Sequence, residues 1–154
     1  MELANLLKPE AIRVNSVVKS KKRLFQDLAE LAAKVHGIAQ DEAIDALQER
    51  ESLGPTGVGH GVALPHARLD SLDKVVGVFI RLEKPMDYGS VDRAPVDLVF
   101  ALFAPRDAGV EHLKALALVS RRLRDDALCS KLRANDAPDT LYAILTSNPD
   151  TKAA

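Results

Sequence analysis

The chain has 154 residues, enough for one compact core and too few for two independent ones. Apolar residues make up 47% and charged residues 28%, and Lys+Arg 21 against Asp+Glu 22 leaves a net charge of -1: a globular mixture with no overall field to draw in nucleic acid or insert into an anionic membrane. Four Phe, two Tyr and no Trp leave little to stack bases or sugars, and a single cysteine, Cys129, makes neither an internal disulfide nor a cysteine zinc site, so a reducing cytoplasm is expected.

The opening MELANLLKPEAIR carries Glu2 where a signal peptide has positive charge, so no secretion is expected. A short turn is predicted around Leu3 to Leu7, then a small β-like piece from Ile12 to Val17. Ser20 caps a helix whose Leu24, Leu28, Leu31 and Val35 share a face, and Gly37 stops it. A second helix from about Asp41 turns Ala43, Ile44 and Leu47 inward and ends in Glu49-Arg50-Glu51, which delivers Arg50 to a helix end. His36 is expected to meet the terminal carbonyls of its own helix and takes no part in a site.

GPTGVGHG, from Gly54 to Gly61, is too glycine-rich for either regular element and reads as a shaped loop feeding the β-prone Val62-Ala63-Leu64, which stops at Pro65. Strands follow at Val75 to Leu82 and Val96 to Ala104, the second almost wholly apolar and so central in its sheet; it falls well short of the roughly 20 apolar residues of a membrane span. The intervening Pro85, Gly89 and Pro95 mark a surface connection. A helix from Val110 to Arg124 is predicted with Leu113, Leu116, Val119 or Ser120, and Leu123 inward and His112 in its first turn. Helices at Ala127 to Arg133 and Thr140 to Leu145 precede a frayed NPDTKAA. This alternation describes a single α/β domain over 1–154.

Arg50 to Arg68 is the stretch that carries chemistry. Gly57, Gly59 and Gly61 lack Cβ atoms, so their N–H groups can converge on an anion, although a ligand-free glycine turn is the plainer alternative. The loop is no P-loop, since His60-Gly61 replace Lys-Ser/Thr, and G-x-G-x-G is not the dinucleotide fingerprint. His66, after Pro65 at a strand tip, is accessible, and a neutral ring nitrogen there is a nucleophile if its other nitrogen donates to a backbone carbonyl. Phosphoryl transfer asks for little else than positioning and donors, which Arg50, Thr56 and the glycines offer. His112, at the start of the helix after the central strand, can return to the same end of the sheet, where the helix dipole favours an anion. A zinc site of His60, His66 and His112 is the alternative of another class; the constrained spacing and the absence of a nearby Cys argue against it, and no cofactor or metal is expected.

Arg50-Glu51, Gly54, Thr56, Gly57, the step Gly61, Pro65, His66, and Glu111-His112 together resemble the active-site segment of phosphotransferase-system (PTS) IIA domains of the mannitol/fructose type, most of all the nitrogen-regulatory branch. The likeness extends to LLKPEAI, SKKRLFQDLAELAA, SRRLRDDALCSKLR and LYAIL. It implies a three-layer α/β/α sandwich with a central mixed sheet. It also implies that His66 accepts a phosphoryl group on Nε2 from an HPr-like phosphocarrier (NPr), with His112 and Arg50 holding the phosphoryl oxygens. Nitrogen-type members control partners such as kinases or potassium transport systems by their phosphorylation state; sugar-transport members pass the group to a IIB domain. His60 departs from the pattern, standing where transport members tend to carry an acid and nitrogen-type members an amide. That disfavours the transport type and leaves His60 either tuning a phosphate pocket or facing solvent.

Overall fold

The computed structural model describes residues 1–147, so the NPDTKAA segment lies outside the described residues. Among these, six helices and six strands form one mixed sheet in the order β1-β5-β6-β3-β2, with β4 also paired to β6. The strands are β1 (Leu7–Ser16), β2 (Gly57–Gly59), β3 (Val62–Ala63), β4 (His66–Leu69), β5 (Val76–Met86) and β6 (Val96–Pro105). The helices are α1 (Leu3–Leu6), α2 (Lys21–His36), α3 (Gln40–Ser52), α4 (Gly109–Leu123), α5 (Asp126–Arg133) and α6 (Pro138–Thr146). α2 and α3 pack on each other and against β1, β4 and β5, while α4, α5 and α6 form a second layer against β6 and β1. β6 is buried along nearly its whole length, as an apolar strand between two helical layers must be. No helix among the described residues is long and apolar enough to cross a membrane.

The helix ends follow their side chains. Ser20 accepts from the Arg23 amide at the start of α2, and Gly37 closes it at φ 70°, the left-handed region open to glycine. Asp125 accepts from the amides of Ala127 and Leu128 and starts α5. β1 begins at Leu7, well before the expected Ile12. It is an edge strand paired only with β5, and a register shift between Leu7 and Ile12 accommodates Pro9, which cannot donate to a ladder.

Three further expectations are corrected. The glycine stretch is not an irregular loop: β2 and β3 form an antiparallel hairpin in which Gly59 faces Val62 across a His60-Gly61 turn. Both turn residues have positive φ, 58° and 81°, the sign pattern of a type I′ turn. The Pro85 to Pro95 segment is not wholly on the surface, because Tyr88 and Ser90 are buried within it. α4 is rotated from the predicted phase: it buries His112, Ala115, Val119, Arg122 and Leu123, and leaves Leu113 65% exposed. Counting only apolar residues misplaced the inward stripe, because two of its members are a histidine and an arginine.

Candidate active site

His66 opens β4 rather than ending β3. After the break at Leu64-Pro65 the chain returns to β6, pairing His66 with Leu102 in parallel. The period of two then buries Ala67 and Leu69 and turns His66 and Arg68 to the other face. Among the described residues β4 has no strand on its outer side, and α3 and α4 flank a cleft of about 450 Å³ there, lined by Arg50, His66, Arg68, Arg106, His112, Leu113 and their neighbours.

Within the cleft the hydrogen bonds determine each ring's tautomer. A carbonyl only accepts, so His66 Nδ1–H donates to the Leu64 oxygen at 2.9 Å, and the bare Nε2 accepts from Arg50 Nε–H at 3.1 Å. Arg50 is steadied by its Nη1 donating to the Gly54 carbonyl at 3.0 Å. His112 stands edge-on to His66, with ring centroids 5.4 Å apart and planes at 73°. Its Nδ1 accepts from Arg68 Nε–H at 3.2 Å, so its proton lies on Nε2, a buried atom with no acceptor among the described residues.

Both rings are neutral near pH 7. Burial pulls His66 below the usual imidazole value, helped by Arg50 and opposed by the Leu64 hydrogen bond. Burial also takes His112 down to about 4, with His66 and Arg68 acting in the same direction. The unfolded chain therefore binds more protons than the folded one below the ordinary histidine range, and stability must fall as pH drops through it. We expect the urea midpoint to decrease from about pH 7 to about pH 5, and to decrease less in His112→Asn, the unfolded histidine value being about 6.5. Equal midpoints at the two pH values would contradict this.

The remaining candidates separate from this cleft. None of Thr56, Gly57, Gly59 and Gly61 lines it. Thr56 and Gly57 are held in the hairpin instead: Thr56 Oγ1 donates to Glu51 at 2.5 Å, and a Cβ on Gly57 would fall 2.1 Å from Ser90 Oγ. Close packing against Ser90, not an anion, explains this glycine. His60 is exposed at the hairpin turn, its amide donating to Asp92 at 3.0 Å. A positive-φ position followed by Gly is where Asn and Asp are favoured, so the acid or amide that the resemblance expects there has a conformational explanation. His60 does not join His66 and His112, and no group of three metal-ligating side chains occurs among the described residues. His36 reaches across to the Gly77 carbonyl of β5, at 3.1 Å, rather than to its own helix end.

Arg68 and Glu51 were the residues missed. Alternation along His66-Ala67-Arg68-Leu69 was the available signal for Arg68. Glu51 stood in the charged helix end and in the resembling Arg50-Glu51 pair without a role of its own, whereas its carboxylate receives Thr56, Tyr88 and Lys21.

Residues 5–148 match the family model for the phosphoenolpyruvate-dependent sugar phosphotransferase system, EIIA 2. The chain is 46% identical over 153 residues to a nitrogen regulatory protein of Bradyrhizobium diazoefficiens, covering 99% of this chain and 100% of that one. Its fold is similar to the nitrogen regulatory protein IIA-Ntr of Neisseria meningitidis, with TM-score 0.88, 32% identity, and 94% and 99% of the two chains covered. It is also similar in fold to the Escherichia coli mannitol IIA structure, with TM-score 0.77, 23% identity, and 90% and 97% covered.

Proposed function

The chain belongs to the EIIA 2 family of the phosphoenolpyruvate-dependent sugar phosphotransferase system, and from that premise we propose that it is a nitrogen-type phosphoryl carrier and regulator with His66 as acceptor. The observation that carries this reading is the pairing of a neutral His66, its Nε2 lone pair unprotonated, with the Nε2–H of His112, which has no acceptor among the described residues.

In the transfer step the His66 Nε2 lone pair attacks the phosphorus of a phosphohistidine on an HPr-like carrier. The N–P bond to His66 forms as the donor's N–P bond breaks, and the donor imidazole leaves with its electron pair. His66 keeps its Nδ1 proton on the Leu64 carbonyl, so the phosphorylated ring carries positive charge and remains a good leaving group for onward transfer. Arg50 must leave Nε2 for attack to occur, and the incoming phosphoryl oxygens give its guanidinium a better acceptor. Leu53, 80% exposed, and Leu113, 65% exposed, rim the cleft and offer an apolar seat for the carrier. The phosphorylated and free forms then differ in charge at this rim, which is the means by which partners such as kinases or potassium transport systems are controlled in the cytoplasm.

Incubation with phosphoenolpyruvate, enzyme I and the carrier is expected to add one phosphoryl group, acid-labile and alkali-stable, with phosphorus coupling to His66 Nε2. No incorporation, or incorporation at another residue, rejects the proposal. Efficient onward transfer to a mannitol-type IIB domain would replace the regulatory role by a transport role.

A further inference from the structure

His112 Nε2–H is a buried donor without an acceptor among the described residues, on a residue 4% exposed, in a cleft it shares with a nucleophilic ring. Neutral imidazole has one N–H, and which nitrogen bears it is decided by what faces the other. What faces His112 Nδ1 is a guanidinium, which cannot accept. The opposite tautomer would set N–H against N–H at 3.2 Å and leave Nε2 bare. Arg68 is itself fixed on two sides: Nε donates to His112 and Nη1 to the Arg106 carbonyl, at 3.2 Å each.

We propose that Arg68 is a positioning residue that locks His112 as an Nε2–H donor aimed at an anionic oxygen on the group carried by His66. This rests on the phosphoryl-acceptor reading above and deepens it. The contact that makes Arg68 act through His112 is its Nε–H on that ring's Nδ1, held from the other side by Nη1 on the Arg106 carbonyl. A neutral His112 supplies one hydrogen bond and no net charge, which steadies the phosphoryl group without trapping it.

The test combines ring-nitrogen NMR with transfer rates on the full chain. In the parent, long-range proton–nitrogen correlations should show His112 as the Nε2–H tautomer. In Arg68→Ala, His112 should move toward a mixture of tautomers while His66, held by Leu64, does not. Phosphoryl acceptance should slow about tenfold, the usual scale for a group that orients an imidazole from behind. Arg68→Lys, which keeps a donor, should restore most of the tautomer and the rate. In a His112→Gln background, Arg68→Ala should cost less than about twofold, because coupled residues are not additive. An unchanged His112 tautomer in Arg68→Ala, or a full tenfold loss in the His112→Gln background, overturns the proposal. A parent that takes no phosphoryl group would sink the preceding reading, and the tautomer measurement would still decide the role of Arg68.

Discussion

A chain with alanine at His66 is expected to accept no phosphoryl group, whereas His112→Ala should accept one slowly. The difference follows from where the lone pairs are. His66 presents an unprotonated Nε2 in the cleft, while the corresponding nitrogen of His112 carries the proton and its other nitrogen faces Arg68. His112 therefore cannot replace the nucleophile, and His60 lies at the hairpin turn, outside the lining of the cleft. Arg50→Ala should retain the acceptor but lose the closest cation, at a cost of about 100-fold to 1,000-fold in rate, as for removal of one preorganised donor from an anion site. Acid-labile radiolabel on timed samples separates the three variants. Any label on His66→Ala comparable to the parent would place the chemistry elsewhere.

Glu51→Ala should destabilise the fold by about 3 kcal/mol, the lower end of the range for removing one partner of a buried ion pair. The Glu51 carboxylate accepts from the Thr56 amide at 3.0 Å, Thr56 Oγ1 at 2.5 Å, Tyr88 at 3.1 Å and Lys21 Nζ at 2.9 Å. It thereby ties the end of α3 to the start of α2, the glycine hairpin and the Tyr88 segment. The lower end applies because Lys21 is 30% exposed and can turn to water, whereas Thr56 and Tyr88 cannot. For a domain of this size that corresponds to a fall of about 6–12 °C in Tm. Burial would raise the Glu51 carboxyl, but the hydrogen bonds from Thr56 and Lys21 outweigh it and hold it below the usual range. Its contribution is thus fully present above the ordinary carboxylate range and is lost as pH falls through it, so the difference between parent and variant should narrow in acid. A change below about 1 kcal/mol, the net worth of a single hydrogen bond, would contradict the assignment of Glu51 as a hub.

The parts of the fold that were legible are those set by local chemistry. Ser20 and Gly37 bounded α2 because a hydroxyl and a left-handed glycine satisfy helix ends whatever lies beyond them. β6 could be recognised as central because only a strand covered on both faces is so continuously apolar. Of the candidate site, His66, His112 and Arg50 could be named from the sequence, and that they meet at one cleft is a matter of topology. What escaped depended on partners distant in sequence. The phase of α4 is set by burying His112 and Arg122, the latter donating to carbonyls at the end of α6. Gly57 and Gly59 of the hairpin answer to Ser90 and Asp92, on a segment that looks like plain surface until Tyr88 is seen beneath it. Arg68 was hidden because β4, four residues long, follows β3 after a break of only two residues.

An open sheet has two ends, and each is a template on which another chain can continue the ladder. Here both are blunted. At the β1 end, exposed Lys8, Pro9 and Glu10 interrupt the free edge with charge and a missing donor. At the other, β2 is three residues long, and the amide just beyond it, that of His60, is taken by the Asp92 carboxylate. Neither of these two ends therefore presents a long free ladder for a second copy to extend.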